Sequence, residues 1–159
     1  YGQLAWKLQS DPRVEVHDRT NVRTLDPASV APAPGLVVGD MSFISLTLVL
    51  PALVGAAAPD ADFLLMVKPQ FEIGKERLGH GGVVRNPEHH VETVDNVARC
   101  AMGLGLDIAA IAASPLPGPS GNVEYFLFMR RAYPDPIKAD ELTDYIRRAV
   151  AEGPAGRKS

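Results

Sequence analysis

Residues 63–72 read FLLMVKPQFE, and the fold turns on how that stretch is read. Five consecutive apolar residues, Phe63 to Val67, run without alternation into Lys68 and Pro69. An unbroken apolar run of strand length is the pattern of a strand buried on both faces of a sheet. Lysine is rarely buried without a partner. At the end of a central strand, Lys68 is therefore either a solvated charge that stops the strand or a group held there for chemistry. The choice rests on what else in the chain converges on it.

Upstream, Leu36–Val38 forms a second apolar strand that ends in Gly39-Asp40. Ser42 is placed to cap a helix over 43–57, with Pro51 expected to kink it and Pro59-Asp60 to close it. Strand, helix and strand with short links make a βαβ unit with parallel strands. Asp40 and Lys68 then lie on the same carboxyl edge, where ligands of such sheets bind, on strands about 5 Å apart if they are neighbours. Downstream, Glu124 stands at the start of a strand over Val123–Met129. The link before it, SPLPGPSGN (114–122), has nine residues, three of them proline. That is too short for a parallel crossover, which needs about a dozen residues or more. The last strand should therefore be antiparallel, which returns Glu124 to the edge that carries Asp40 and Lys68. The expected class is α/β, a mostly parallel sheet with one reversed strand. The cluster reads either as a structural ion pair or as a site for acid–base and positioning work.

Other segments fill in around this frame. Tyr1–Ser10 suggests a short helix, Val14–Val16 a brief strand and Thr20-Asn21-Val22 a turn. The long connection 70–86 carries four glycines among Lys75, Arg77 and Arg85, and a loop of that length is functional or mobile. Asn86 and Pro87 open a helix whose inner face is Val91, Val94, Val97, Ala98 and Met102. Leu106–Ala113 is a further strand. Asp140–Glu152 is an amphipathic helix with Leu142, Ile146 and Val150 inward, and residues after Gly153 should fray.

At 159 residues, with 46% hydrophobic and 22% charged residues, the chain suits one globular domain with a real core. A net charge of −3 argues against a protein that coats nucleic acid indiscriminately, while leaving room for a local basic site. The single cysteine, Cys100, excludes an internal disulfide and a cysteine-based zinc site, and fits a reducing cytoplasm. His17, His80, His89 and His90 show no metal-ligand spacing, so no metal is expected. The longest apolar stretch, 43–58, is interrupted by Ser45, Thr47 and Pro51 and is too short to span a bilayer.

The motifs GDMSFIS (39–45), VKPQFEIGKE (67–76) and SPLPGPSGNVEYFLF (114–128), with the opening YGQLAWKL and the segment RTNVR (19–23), resemble those of the TlyA/hemolysin A branch of FtsJ-like methyltransferases. The resemblance covers Tyr1 to about Arg131. It implies a Rossmann-like methyltransferase domain that uses S-adenosylmethionine to methylate a ribose 2′-hydroxyl of ribosomal RNA, at cytidine. By motif, Asp40, Lys68 and Glu124 match the aspartate, second lysine and glutamate of the family's Lys-Asp-Lys-Glu tetrad. The first lysine, the glycine-rich cofactor loop and an S4-type RNA-binding domain have no counterpart here. Residues 1–153 thus resemble the C-terminal part of a catalytic domain truncated at its N-terminus, followed by a disordered tail, 154–159; alone it is expected to be inactive.

The same resemblance makes Tyr1, Gly2, Asn21, Val22 and Asp40 the cofactor-binding candidates, although Asn21 is equally readable as a turn residue. Lys75, Arg77, Arg85, Ser120 and Asn122 are the RNA-binding candidates, against the alternative of a solvated loop. The implied partner is ribosomal RNA or a ribosomal subunit, bound by a cytoplasmic monomer. Two other readings stand beside it. One is a membrane-active hemolysin, suggested by the family's name. The other is a hydrolase using Asp40 and Glu124 as a carboxylate pair, a scheme that leaves Lys68 without a role.

Overall fold

The structure, a computed structural model, describes residues 2–157. A short helix, α1 (Trp6–Gln9), leads into an irregular segment containing 3-10 turns at Val22–Thr24 and Pro27–Val30. Then follow β1 (Leu36–Gly39), α2 (Leu46–Ala56), β2 (Asp62–Val67), α3 (Pro87–Gly103), β3 (Asp107–Ala113), β4 (Tyr125–Arg130) and α4 (Leu142–Glu152). The sheet order is β1-β2-β4-β3. β1 and β2 are parallel neighbours, and β4 is antiparallel to both β2 and β3. The reversed last strand is as the proline-rich link requires. It does not add to an edge; it inserts between β2 and β3.

One face of the sheet carries the core. Phe63, Leu65 and Val67 of β2 and Tyr125, Leu127 and Met129 of β4 are each fully buried, together with Val94, Val97 and Ala98 of α3 and Leu142, Ile146 and Val150 of α4. Each such side chain removed from water contributes about 1.5–3 kcal/mol before the entropy of ordering it is subtracted. The expectation that β2 is buried on both faces is corrected here. Leu64 is 39% exposed, and Leu36 and Val38 of β1 are 62% and 67% exposed. α2, α3 and α4 join one buried core with the inward residues of β2 and β4, so the unbroken apolar run has one packed and one open side.

Three local expectations also change. Val14–Val16 forms no strand; three alternating residues have no partner edge to bond. α2 begins three residues later than Phe43, because Ser45 is its N-cap and accepts from the Thr47 amide, while Phe43 sits at φ +65° outside the helix. The helix continues through Pro51, whose ring lies on its exposed side. In α3, Asn86 caps and Pro87 occupies the first turn as expected. The segment expected to fray begins with a 3-10 turn, Pro154–Gly156, and Lys158 and Ser159 lie outside the described residues.

Candidate active site

The register brings the cluster together. β2 and β4 pair with Val67 opposite Tyr125, so one further step places Lys68 opposite Glu124. β1 runs parallel to β2 with Gly39 opposite Leu65, which delivers Asp40 to the same edge. Lys68 Nζ lies 2.5 Å from Asp40 Oδ1 and donates to Ser42 Oγ at 3.2 Å. Glu124 Oε2 stands 3.9 Å from the same nitrogen, inside ion-pair range and beyond hydrogen-bond range. The lysine side chain is 12% exposed and that of Glu124 is 9% exposed, whereas Asp40 is open at 69%. A lysine desolvated to this degree is tolerated because two carboxylates face it.

Neighbouring residues fix these three. Gln70 Nε2 donates to Glu124 Oε2 at 3.0 Å. Gly118 backs the same carboxylate: a Cβ there would meet its atoms at 3.3–3.4 Å. Glu72 bridges the Lys68 segment to the start of α2, accepting from the Leu46 amide at 2.8 Å and from Ser45 Oγ at 2.5 Å. Burial pushes its carboxyl above the usual range, against those two hydrogen bonds. The segment 68–72 is therefore tied at alternate positions to Asp40, Glu124 and the α2 N-terminus.

These residues open onto a cleft of about 1060 Å³, walled by Ser42, Phe43, Lys68, Gln70, Phe71 and Glu124 among others. Phe43 is 89% exposed in a left-handed backbone conformation, its ring centroid 5.0 Å from that of Phe71. A non-glycine residue held there costs about 1–3 kcal/mol, a cost met at functional sites. The opposite wall is the loop 74–85. Asn122 clamps it, accepting from the Val84 amide and donating to the Gly82 carbonyl, both at 2.9 Å. Buried His90 anchors Val84 from behind.

The other residues singled out in the sequence are placed as follows. Lys75 and Ser120 are exposed and line the cleft. Arg77 is paired with Glu92, and Arg85 donates to the His80 carbonyl. Asn122 also lines the cleft, 4% exposed, with its amide bonded to the loop. Gly2, Asn21 and Val22 are not brought to the cleft. Asn21 caps the Val22–Thr24 turn, as its turn reading has it, and Val22 packs against the core. Tyr1 lies outside the described residues. Sequence reasoning missed Gln70, Glu72 and His90. For His90 a signal existed: with Val94, Val97 and Ala101 it falls on the helical stripe that α3 buries.

Three comparisons bear on this geometry. A family profile described as FtsJ-like methyltransferase matches residues 1–131. The chain is 54% identical over 154 residues to a Mycobacterium tuberculosis protein named 16S/23S rRNA (cytidine-2′-O)-methyltransferase TlyA, covering 97% of this chain and 58% of that protein. It is 40% identical over 130 residues to YqxC of Bacillus subtilis, described as an rRNA methyltransferase, covering 81% of this chain and 46% of the relative. A solved Streptococcus thermophilus structure described as a hemolysin superposes with a TM-score of 0.83 at 30% identity, over 96% of this chain and 56% of that one. The chain thus spans about half the length of the curated relatives it matches. With Asp40, Lys68 and Glu124 gathered at the carboxyl edge of a sheet of matching fold, the chain belongs to the FtsJ-like methyltransferase family.

Proposed function

We propose that the protein containing this chain methylates a ribose 2′-hydroxyl of ribosomal RNA, at cytidine, with Lys68 at the reacting oxygen. The observation that carries the reading is Lys68 Nζ held 2.5 Å from Asp40 and 3.9 Å from Glu124 on the floor of a cleft. A ribose hydroxyl is a weak nucleophile, so the site must orient its oxygen and receive its proton. Lys68 orients the hydroxyl and takes the proton when its nitrogen carries a lone pair. Asp40 aligns Lys68, and Glu124 closes the other side. Alignment of this kind supplies several kcal/mol of a barrier. The rim pair Phe43 and Phe71 offers a face on which a splayed base can stack, a contact worth about 1–3 kcal/mol. Lys75 and Ser120 line the cleft, which supports reading them as contacts to the RNA backbone.

The methyl donor we propose is S-adenosylmethionine, which supplies a methyl group on a positively charged sulfur. The exposed carboxylate of Asp40 at the sheet edge is the kind of group that faces such a cation. This chain therefore fits one side of the donor's site. The membrane-lytic alternative rests on a name; α2 has 11 residues, and no helix among the described residues is long and apolar enough to cross a membrane.

The test is full-length protein with labelled S-adenosylmethionine and each ribosomal subunit in turn. Label should enter rRNA at a ribose oxygen, and Lys68→Ala should lower the rate at least about 100-fold. Undiminished activity of Lys68→Ala would remove the role given to this residue, and absence of label with both subunits would remove the substrate.

A further inference from the structure

Gln70 occupies a position that the tetrad does not explain. Its Nε2 donates at 3.0 Å to Glu124 Oε2, the same oxygen that stands 3.9 Å from Lys68 Nζ. The carboxylate can only accept, so it dictates which way the amide faces: the NH₂ points at Glu124 and the carbonyl oxygen points away. That carbonyl oxygen, Oε1, is buried and has no hydrogen-bond partner among the described residues. The side chain is thus held by a single bond, to Glu124, at the expense of an unsatisfied acceptor. Buried polar atoms left in this state call for an explanation beyond packing.

The explanation lies in the gap. Asp40 and Ser42 occupy two of the three donor directions of Lys68. With Nζ and Oε2 3.9 Å apart, a hydroxyl oxygen placed about 2.8 Å from each would subtend an angle of about 90°, within reach of both. Gln70 and the Gly118 wall hold the Glu124 carboxylate against the attraction that would draw it into direct contact with the ammonium. Direct contact would fill the third direction of Lys68 and close the gap.

We propose that Gln70 is a positioning residue that keeps Glu124 off Lys68, holding open the space that the ribose hydroxyl enters. This rests on the methyltransferase reading above. Because Gln70 is bonded to Glu124 alone, an effect exerted through that carboxylate must vanish when Glu124 is gone. The variant is Gln70→Met, which keeps the length of the side chain and removes the donor.

In full-length protein, Gln70→Met should lower kcat by about tenfold or more with the KM for S-adenosylmethionine little changed. The acidic limb of its pH–rate profile should move to higher pH, since a lysine in contact with a carboxylate surrenders its proton less readily. In a Glu124→Ala background the same substitution should change kcat less than about twofold. Equal effects in both backgrounds, or an unmoved pH profile, would overturn the proposal. A crystal structure of Gln70→Met reads it without any activity: Glu124 in hydrogen-bonding contact with Lys68 supports it, and a Glu124 still 3.9 Å away refutes it. If wild-type protein methylates no RNA, the proposed function fails by itself, and the crystal structure still decides the role of Gln70.

Discussion

His90 places an ionisable ring at 1% exposure between two partners, the Val84 carbonyl at 2.8 Å from Nε2 and the Tyr125 hydroxyl at 2.6 Å from Nδ1. A carbonyl only accepts, so Nε2 carries the hydrogen and Nδ1 accepts from Tyr125. Burial holds the His90 pKa below its ordinary 6.5, with the Val84 bond opposing, and burial raises that of the Tyr125 phenol. The linkage follows in sign. The unfolded chain binds a proton at His90 near pH 6.5 and the folded protein only at lower pH, so stability falls as pH drops below that value. Glu72, raised by burial, contributes the opposite slope, and comparing wild type with His90→Leu cancels it. That variant should lose about 2–4 kcal/mol at neutral pH, because it strands the Val84 carbonyl and the Tyr125 hydroxyl. It should also lose less further stability than wild type between neutral and about pH 5. Denaturant titrations at both pH values check this; parallel losses would contradict the role of His90.

At the scale of elements, the loop 74–85 is a wall of the cleft pinned at few points. Asn122 holds Gly82 and Val84, and buried Ile73 and Val84 tether its ends. Asn122→Ala should raise amide exchange across 79–85 by about tenfold while global stability falls by only about 1–3 kcal/mol; mass-spectrometric hydrogen exchange measures both. If exchange rises equally in β2 and β4, the clamp is global.

Much of this level was legible in the sequence. The βαβ unit and the reversal of β4 follow from link lengths, and Asn86-Pro87 marks the start of α3 within one residue. What was not legible depends on contacts across the chain. The place of β4 between β2 and β3 is a pairing choice that no local pattern encodes. The openness of Leu64 depends on which face the helices cover. Asp40, Lys68 and Glu124 could be found because strand ends announce themselves. Gln70 and Glu72 could not, because their partners lie 54 and 26 residues away.

For the whole molecule, the question is which functions 159 residues can carry. The chain presents Asp40 on an open edge, while Gly2, Asn21 and Val22 stay off the cleft. On the reading proposed above, its own surface offers one side of a donor site. The 159-residue chain alone is expected to show no micromolar affinity for S-adenosylmethionine, and the full-length protein to show it. Titration calorimetry on the two proteins makes the comparison. Micromolar binding by the short chain would mean that the cleft is sufficient.

The position of β4 has a temporal side as well. Among the described strands β4 alone pairs with both β2 and β3; it is the last of the four to leave the ribosome, and Glu124 sits immediately before it. Until about residue 130 has emerged, the nascent chain holds its lysine and aspartate without the glutamate opposite, and its sheet is in two halves. β4 joins both halves with contacts 60 or so residues distant along the β2 side, contacts whose loop-closure cost makes them late in folding. Gathering of Asp40, Lys68 and Glu124 and completion of the sheet are thus one event, so a chain stopped short of β4 exposes unpaired edges of β2 and β3 to aggregation.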